Sequence, residues 1–267
     1  MVDVAVIGAC GRMGRTMIRC INDSEGIRLV GAVAEAGDPH LGRDAGEVCG
    51  LQPIGEALTD DPHAALGNAQ VAVDFTAPSA TQANVTAAAK RGIALVVGTT
   101  GLGLGETAAL ESGAERIPIV YARNLSVGMV VFRDLVARAA AALDEDYDVE
   151  ILDAHHAGKI DAPSGTALEL GERVAKARGR SLEPAPVNAQ HARAGPRERG
   201  AVGYAVIRAG QIVGDHSVLF AGPDEQVELV HRAVDRAVFA RGALRAAQWV
   251  VGQPPGLYSL EDVLGLK

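Results

Sequence analysis

The feature that most constrains this chain is the strand-like run Val2–Ile7, followed at once by Gly8-Ala9-Cys10-Gly11-Arg12-Met13-Gly14 and a helical stretch through Ile21. Glycines so spaced allow a tight strand-to-helix turn, close backbone approach to a bound group and close packing of the helix on the strand. The N–H groups at the start of that helix face the turn, which suits an anion. By itself the spacing also fits a glycine-rich turn kept for packing. Its place after the first strand favours a dinucleotide pyrophosphate, cradled by Gly8, Ala9, Cys10, Gly11, Arg12 and Met13.

Further strand-like runs at 28–33, 71–75, 93–97 and 117–121 alternate with helical patterns such as 79–91. This alternation predicts an α/β fold with a Rossmann-type, doubly wound parallel sheet. Asp74-Phe75-Thr76 and Gly98-Thr99-Thr100-Gly101 fall where strands end, which is where open α/β sheets bind ligands. Asp74, Thr76, Gly98, Thr99 and Thr100 are therefore expected to line the nicotinamide side of a cofactor cleft, although Thr at strand ends is also a common turn former. Past Asn124-Leu125-Ser126-Val127-Gly128 the character changes. A helical pattern over 129–143 leads into 148–153, and β-like runs follow at 201–208, 217–221 and 226–231, separated by Ala209-Gly210 and Gly222-Pro223. That pattern predicts a second, α+β lobe with a mixed or antiparallel sheet. An Ala-rich helical stretch from Arg236 to Val251 is expected to pack back on the first lobe, with hinges near Ser126 and Arg236. The stretch 178–199, rich in Pro, Arg and Gly, reads as a mobile loop.

With 267 residues the chain is long enough for two lobes, and 48% hydrophobic against 3% aromatic content points to aliphatic packing. A formal charge of −8 argues against general nucleic-acid binding, which rests on excess Lys and Arg. Cys10, Cys20 and Cys49 show neither disulfide nor metal-ligand spacing, so no metal is expected and a reduced, cytoplasmic chain is the simplest reading. No run is long and apolar enough to span a bilayer, and Met1 leads into a strand without a signal peptide, so no membrane partner is expected.

The densest chemistry lies in His155-His156-Ala157-Gly158-Lys159-Ile160-Asp161-Ala162-Pro163-Ser164-Gly165-Thr166. An imidazole supplies a proton near neutral pH, and an ammonium holds an anion. Ser164-Gly165-Thr166 before a helix offers N–H groups and hydroxyls to a carboxylate or phosphate. Asp161 and Pro163 read as shaping the turn. Arg208 and His216 are equally consistent with closing over a substrate and with structural roles in the sheet. Such a run calls for an anionic substrate that must be protonated.

Together these segments resemble the 4-hydroxy-tetrahydrodipicolinate reductase (dihydrodipicolinate reductase) family. The resemblance is collinear over nearly the whole chain: the Gly8 to Gly14 turn, Asp74-Phe75-Thr76, Gly98 to Gly101, Asn124 to Gly128, Glu150 to Ala167, and Gly203 to His216 with Arg208-Ala209-Gly210. It implies a dinucleotide-binding domain of residues 1–126 and 236–267, a substrate-binding and oligomerisation domain of residues 127–235, and a homotetramer built through the central sheets. It implies NADH or NADPH as cofactor and a cyclic dicarboxylate as substrate, reduced on the diaminopimelate route to lysine. By the same resemblance His155 is the proposed general acid and Lys159 the second proton donor. His156, Ser164, Gly165 and Thr166 then contact the substrate, and Ala122, Arg123, Asn124 and Leu125 complete the cofactor site.

One departure concerns the cofactor. Some members carry an acidic residue followed by Arg at the end of the second strand, whereas this chain reads Glu35-Ala36-Gly37. An acidic side chain there hydrogen-bonds a free ribose and repels a 2′-phosphate, so Glu35 leans the chain toward NADH. Arg12 and Arg15 in the first turn remain candidates for accepting a 2′-phosphate. Two other readings share part of the pattern: another NAD(P) dehydrogenase of amino-acid metabolism, which would not need the Lys159 to Thr166 cradle, and a nucleotide-sensing regulator without turnover, which would not need the His pair and Lys159.

Overall fold

The computed structural model describes residues 1–180 and 197–266. Most of the expected loop at 178–199 thus lies outside the described residues. In chain order the elements are β1 (Val2–Ile7), α1 (Arg12–Asn22), β2 (Ile27–Val33), α2 (Ala45–Val48), β3 (Leu58–Thr59), α3 (Pro62–Ala65), β4 (Val71–Asp74), α4 (Pro78–Arg91), β5 (Ala94–Val97), α5 (Leu104–Ala114), β6 (Pro118–Tyr121) and α6 (Val127–Ala142). They continue with β7 (Asp148–His155), α7 (Gly165–Ala177), β8 (Val202–Arg208), β9 (Gly214–Ala221), β10 (Gln226–Ala233), α8 (Ala237–Val250), β11 (Gly256–Tyr258) and α9 (Leu260–Leu264). The chain divides into two compact units, Met1–Val127 with Arg236–Lys267, and Gly128–Asp235.

The first unit is a seven-stranded sheet in the order β11-β6-β5-β4-β1-β2-β3, with every pairing parallel. Its central strands β4 and β5 are buried along their whole length, as their unbroken apolar runs require of a sheet covered on both faces. On one face Ala5, Ile7, Ala72, Leu95, Val97 and Ile119 meet Leu66, Val85, Ala88 and Leu110 from α4, α5 and the end of α3. On the other, α8 packs beside α1 and against β4, β5 and β6, so the Ala-rich stretch does return to the first lobe. Its small residues allow the approach: Ala240, Ala243, Ala246 and Ala247 are all fully buried.

The second unit is a four-stranded mixed sheet in the order β10-β9-β7-β8, in which β7 and β8 run parallel and the other pairs antiparallel. One face buries Val149, Ile151, Tyr204, Val218 and Phe220 against Met129, Phe132 and Val136 of α6 and Leu170 and Val174 of α7. Strand side chains alternate between faces, so Asp153, His155, His216 and Arg208 share that helix-covered face: Asp153 lies opposite His216, and His155 opposite Arg208. Strand β7 continues to His155, two residues beyond the apolar pattern, and so sets His155 on a strand rather than in a loop. The short strands β3 and β11 were not foreseen, because two or three residues cannot display an alternation.

The turn after β1 depends on backbone contact. A Cβ at Gly14 would stand 2.1 Å from the carbonyl oxygen of Gly8. Gly14→Ala is expected to destabilise the protein by about 1–3 kcal/mol through overpacking, read as a lower urea midpoint; an unchanged midpoint would show that turn and helix separate without cost.

Candidate functional site

Strand β1 pairs with β2 on one side and β4 on the other, and the sheet order reverses between β1 and β4. Such a reversal opens a crevice at the strand ends. Gly8 has φ 85 and lies so close to β4 that a Cβ would meet the Phe75 carbonyl oxygen at 2.7 Å. The N–H groups of Gly8 and Ala9 both donate to the Val33 carbonyl, at 2.9 and 2.8 Å, tying the turn to the end of β2. Helix α1 begins at an N-cap glycine, Gly11, with no side-chain cap and no acidic residue in its first turn. Uncapped N–H groups at a glycine-lined helix start fit a pyrophosphate.

Around this turn the expected cofactor residues fall into distinct environments. Asp74 is fully buried, and its carboxylate accepts from Thr76 N and Oγ1 at 2.9 and 2.7 Å and from Asn84 Nδ2 at 3.0 Å. It therefore shapes the loop after β4 and does not face a ligand. Thr99 is buried beside it, with Oγ1 3.3 Å from the Thr76 carbonyl, whereas Thr100 is exposed. Gly98 packs under Phe75, whose ring a Cβ would meet at 2.3 Å. Ala122 N donates to Val97 O at 3.2 Å, Asn124 Oδ1 accepts from Ser126 N at 2.9 Å, Leu125 is buried and Arg123 exposed. Glu35 is exposed just beyond β2, and Arg12 is exposed at the helix start. Arg15 is not available to a 2′-phosphate in the way its position suggested. Its Nε donates to Cys10 O at 2.9 Å and its NH1 to Val48 O at 3.0 Å, which commits the guanidinium to bracing the turn.

In the second unit the chemistry gathers on Asp153, which is fully buried. His155 Nδ1 stands 2.9 Å from Asp153 Oδ1, and His216 Nε2 3.3 Å from the same oxygen. Oδ2 accepts from Arg208 NH2 at 3.0 Å and from the Ser164 backbone N–H at 2.8 Å. Burial alone would raise this carboxyl, but His155, His216, the Ser164 N–H and Arg208 together outweigh it and hold the group well below its ordinary value. The His155 and His216 rings meet edge to face with centroids 5.2 Å apart. An acceptor-only carboxylate beside Nδ1 favours the tautomer with its N–H there, which leaves Nε2 as the ring nitrogen turned away from Asp153. Gly214 keeps space at that end, since a Cβ would stand 3.2 Å from Nε2.

The loop from β7 to α7 carries the remaining residues. Lys159 Nζ lies 2.7 and 2.9 Å from the two Asp161 carboxylate oxygens, and its backbone N–H donates to His156 O at 3.1 Å. Arg208 NH2 also donates to the Asp161 carbonyl, at 2.6 Å, so one guanidinium fixes both the loop and Asp153. The Ala162–Pro163 peptide is cis. Ser164 is 3% exposed; its Oγ accepts from Ala167 N at 3.2 Å and lies 3.2 Å from His216 Nε2. The hydroxyl expected to touch substrate is thus engaged in capping α7, while Gly165 is exposed at the first helical position.

Sequence models of the two halves of dihydrodipicolinate reductase match residues 2–125 (N-terminus) and 128–264 (C-terminus). The 4-hydroxy-tetrahydrodipicolinate reductases of Alkalilimnicola ehrlichii and Ruegeria pomeroyi are each 49% identical over 98% of this chain and 98% of their own. The chain belongs to the dihydrodipicolinate reductase family. It is an NAD(P)H-dependent oxidoreductase that reduces 4-hydroxy-tetrahydrodipicolinate on the diaminopimelate route to lysine. The solved, dipicolinate-bound dihydrodipicolinate reductase of Paenisporosarcina sp. TG-14 shares the fold, with a TM-score of 0.75 at 23% identity, covering 98% of this chain and 99% of that one. No helix among the described residues of this reductase is long and apolar enough to cross a membrane. Nothing favours the sensor or another dehydrogenase.

Asp153 and Gly214 were the residues sequence reading missed. Asp153 stands two places before His155 on the same face of β7, so once His155 is placed on a strand the spacing of two is the signal that finds it. A group ionised in the fold below its unfolded value stabilises fully above the unfolded value, and that contribution is lost as pH falls toward the folded one. Below the ordinary carboxylate value of 3.8, Asp153→Asn should therefore lose stability less steeply than the parent, by up to about 1.4 kcal/mol per pH unit. Urea midpoints measured across that range check it, and parallel curves would mean that Asp153 is not held ionised.

Proposed function

We propose that the first unit binds NADH or NADPH at the Gly8–Gly14 turn and that the second binds the cyclic dicarboxylate against the loop from His155 to Thr166. The observation that carries the chemistry is the buried Asp153 beside His155 Nδ1, at 2.9 Å, with Lys159 and the start of α7 on the following loop. The substrate's 4-hydroxyl leaves as water with a neighbouring ring proton, giving a conjugated ring, and the reduced nicotinamide, when bound, supplies a hydride to a carbon of that ring. His155 acts as the general acid that protonates the resulting enamine through Nε2, and Asp153 holds its tautomer and stabilises the imidazolium before transfer. Lys159 attracts the dianionic substrate and is the second proton donor. Gly165 and Thr166 offer their N–H groups to a substrate carboxylate, and Ser164 sets their direction by capping the helix. His156, at the bend after β7, completes the contact with substrate.

Glu35 beyond β2, without a following Arg and with Arg15 committed to backbone carbonyls, supports NADH being used at least as well as NADPH. The second sheet supports assembly into a homotetramer: its face away from α6 and α7 presents Leu152, Ala205 and Leu219 with Glu150 and Glu228. The protein would work in the cytoplasm, where reduced nicotinamide and the aspartate-derived substrate meet.

Substrate generated in place from pyruvate and aspartate semialdehyde by the preceding synthase should drive oxidation of NADH, followed by absorbance. Folded, nucleotide-bound protein that oxidises neither NADH nor NADPH would overturn the reading. In the same assay kcat/KM for NADH is expected to equal or exceed that for NADPH, and a strict NADPH preference would remove the role given to Glu35. His155→Gln should lower kcat by about 10²-fold with NADH binding unchanged, while Lys159→Ala should also raise substrate KM by about tenfold or more. Sedimentation velocity is expected to return four times the chain mass, and a monomer at micromolar concentration would refute the tetramer.

A further inference from the structure

Spacing along the chain gave no metal site, yet the fold assembles one group of zinc-type ligands in the first unit. Cys10 from the turn after β1 and Asp38 and His40 from the loop after β2 each offer a ligand atom within 4.8 Å of the others. These segments are held in register without a ligand. The N–H groups of Gly8 and Ala9 share the Val33 carbonyl, and Arg15 Nε fixes the Cys10 carbonyl at 2.9 Å. Asp38 N donates to Glu35 O at 3.0 Å, and Asp38 Oδ1 accepts from His40 N at 2.8 Å and lies 2.8 Å from His40 Nδ1. All three residues are half-buried, reachable from solvent but not freely mobile on the surface.

We propose that Cys10, Asp38 and His40 form a binding site for a zinc-like divalent cation, and that its occupation excludes the dinucleotide. Thiolate, imidazole and carboxylate are the donors zinc takes, and the sulfur selects against hard cations such as magnesium. Zinc bonds of about 2.0–2.3 Å put tetrahedral ligands about 3.3–3.8 Å apart, so the widest pair need close by no more than about 1–1.5 Å, while Asp38 Oδ1 and His40 Nδ1, now 2.8 Å apart, open by about 0.5 Å to admit the ion. Three protein ligands leave a fourth position for water. The exclusion rests on the cofactor reading above: the pyrophosphate belongs at the glycine turn and the adenosine ribose at the end of the second strand. An ion joining Cys10 to the loop after β2 occupies the gap that the adenosine half must cross. A reductase so built slows when the free zinc level rises and recovers when its cofactor is abundant.

The test uses tag-free protein titrated with zinc in competition with a chromophoric chelator, comparing the parent with Cys10→Ser and His40→Gln. One zinc per chain is expected for the parent, at least about tenfold weaker in either variant, and released by added NADH. Cobalt(II) in place of zinc should give a thiolate-to-cobalt absorption band that Cys10→Ser abolishes. Circular dichroism establishes that each variant is folded. No zinc retained by the parent, or zinc equally tight in both variants, as expected if it sat at Asp153, His155 and His216, would overturn the site. If NADH binds the zinc-free protein by fluorescence but displaces no zinc, the exclusion is overturned. Absence of NADH binding to zinc-free protein would instead overturn the cofactor reading, leaving the zinc site to be decided by the chelator and cobalt results.

Discussion

The second unit is organised around one buried carboxylate. Asp153 ties β7 to β8 through Arg208, to β9 through His216, and to the start of α7 through the Ser164 N–H. An ion removed from water is tolerated only when it is paired and hydrogen-bonded: here Oδ2 accepts from Arg208 and the Ser164 N–H, and both imidazoles stand within ion-pair distance of Oδ1. Removing Arg208 leaves a charge uncompensated in the interior, which typically costs about 3–5 kcal/mol. The arrangement therefore demands that the strands, the loop and the helix arrive together. Arg208 supplies the permanent counter-charge to the carboxylate through Oδ2.

The first unit is held by a different principle. Its sheet is sealed by aliphatic side chains on both faces, and its ligand-binding edge is set by backbone against backbone, as where Gly8 abuts Phe75 and Gly14 abuts Gly8. Such contacts leave no room for a side chain, and the start of α1 carries no side-chain cap on its N–H groups. Polar side chains at this edge mostly serve the frame. Asp74 binds Thr76 and Asn84, and Arg15 binds the Cys10 and Val48 carbonyls. The glycine turn thus offers a ligand mainly backbone amides, whereas the second unit gathers charged side chains around Asp153.

The difference explains what was legible in the sequence. The parallel sheet could be read because strands buried on both faces appear as continuous apolar runs, and the glycine turn because its residues are contiguous. The segment from His155 to Thr166, which runs from the end of β7 through a loop into α7, was legible for the same reason. Asp153 was not, because its meaning lies in register: it faces His216, some sixty residues away along the chain, across an antiparallel pair. Ser164 was placed correctly at a helix start, but spacing cannot tell whether a capping hydroxyl turns outward to a ligand or inward to the helix. The bracing of the turn by Arg15 was hidden likewise, since the carbonyl of Val48 comes within its reach only through folding of the segment between β2 and β3. The grouping of Cys10 with Asp38 and His40 was hidden because it joins the ends of two neighbouring strands.

A chain with a formal charge of −8 that must bind two anions cannot rely on its overall field, which repels both. The structure meets this with short-range devices. Uncapped or outward-facing helix N-termini, at α1 and α7, present amides whose pull is confined to about one turn, inside the distance at which salt screens it. Lys159 adds a cation whose charge is already shared with Asp161, so the loop is close to neutral before substrate arrives. A dianionic ring can displace that carboxylate, with Arg208 still holding the loop through the Asp161 carbonyl. On the proposed role of Lys159, affinity would arise from exchange of one carboxylate for another at a fixed ammonium, which would let an acidic protein select a dicarboxylate without a broad basic surface that would also attract nucleic acid.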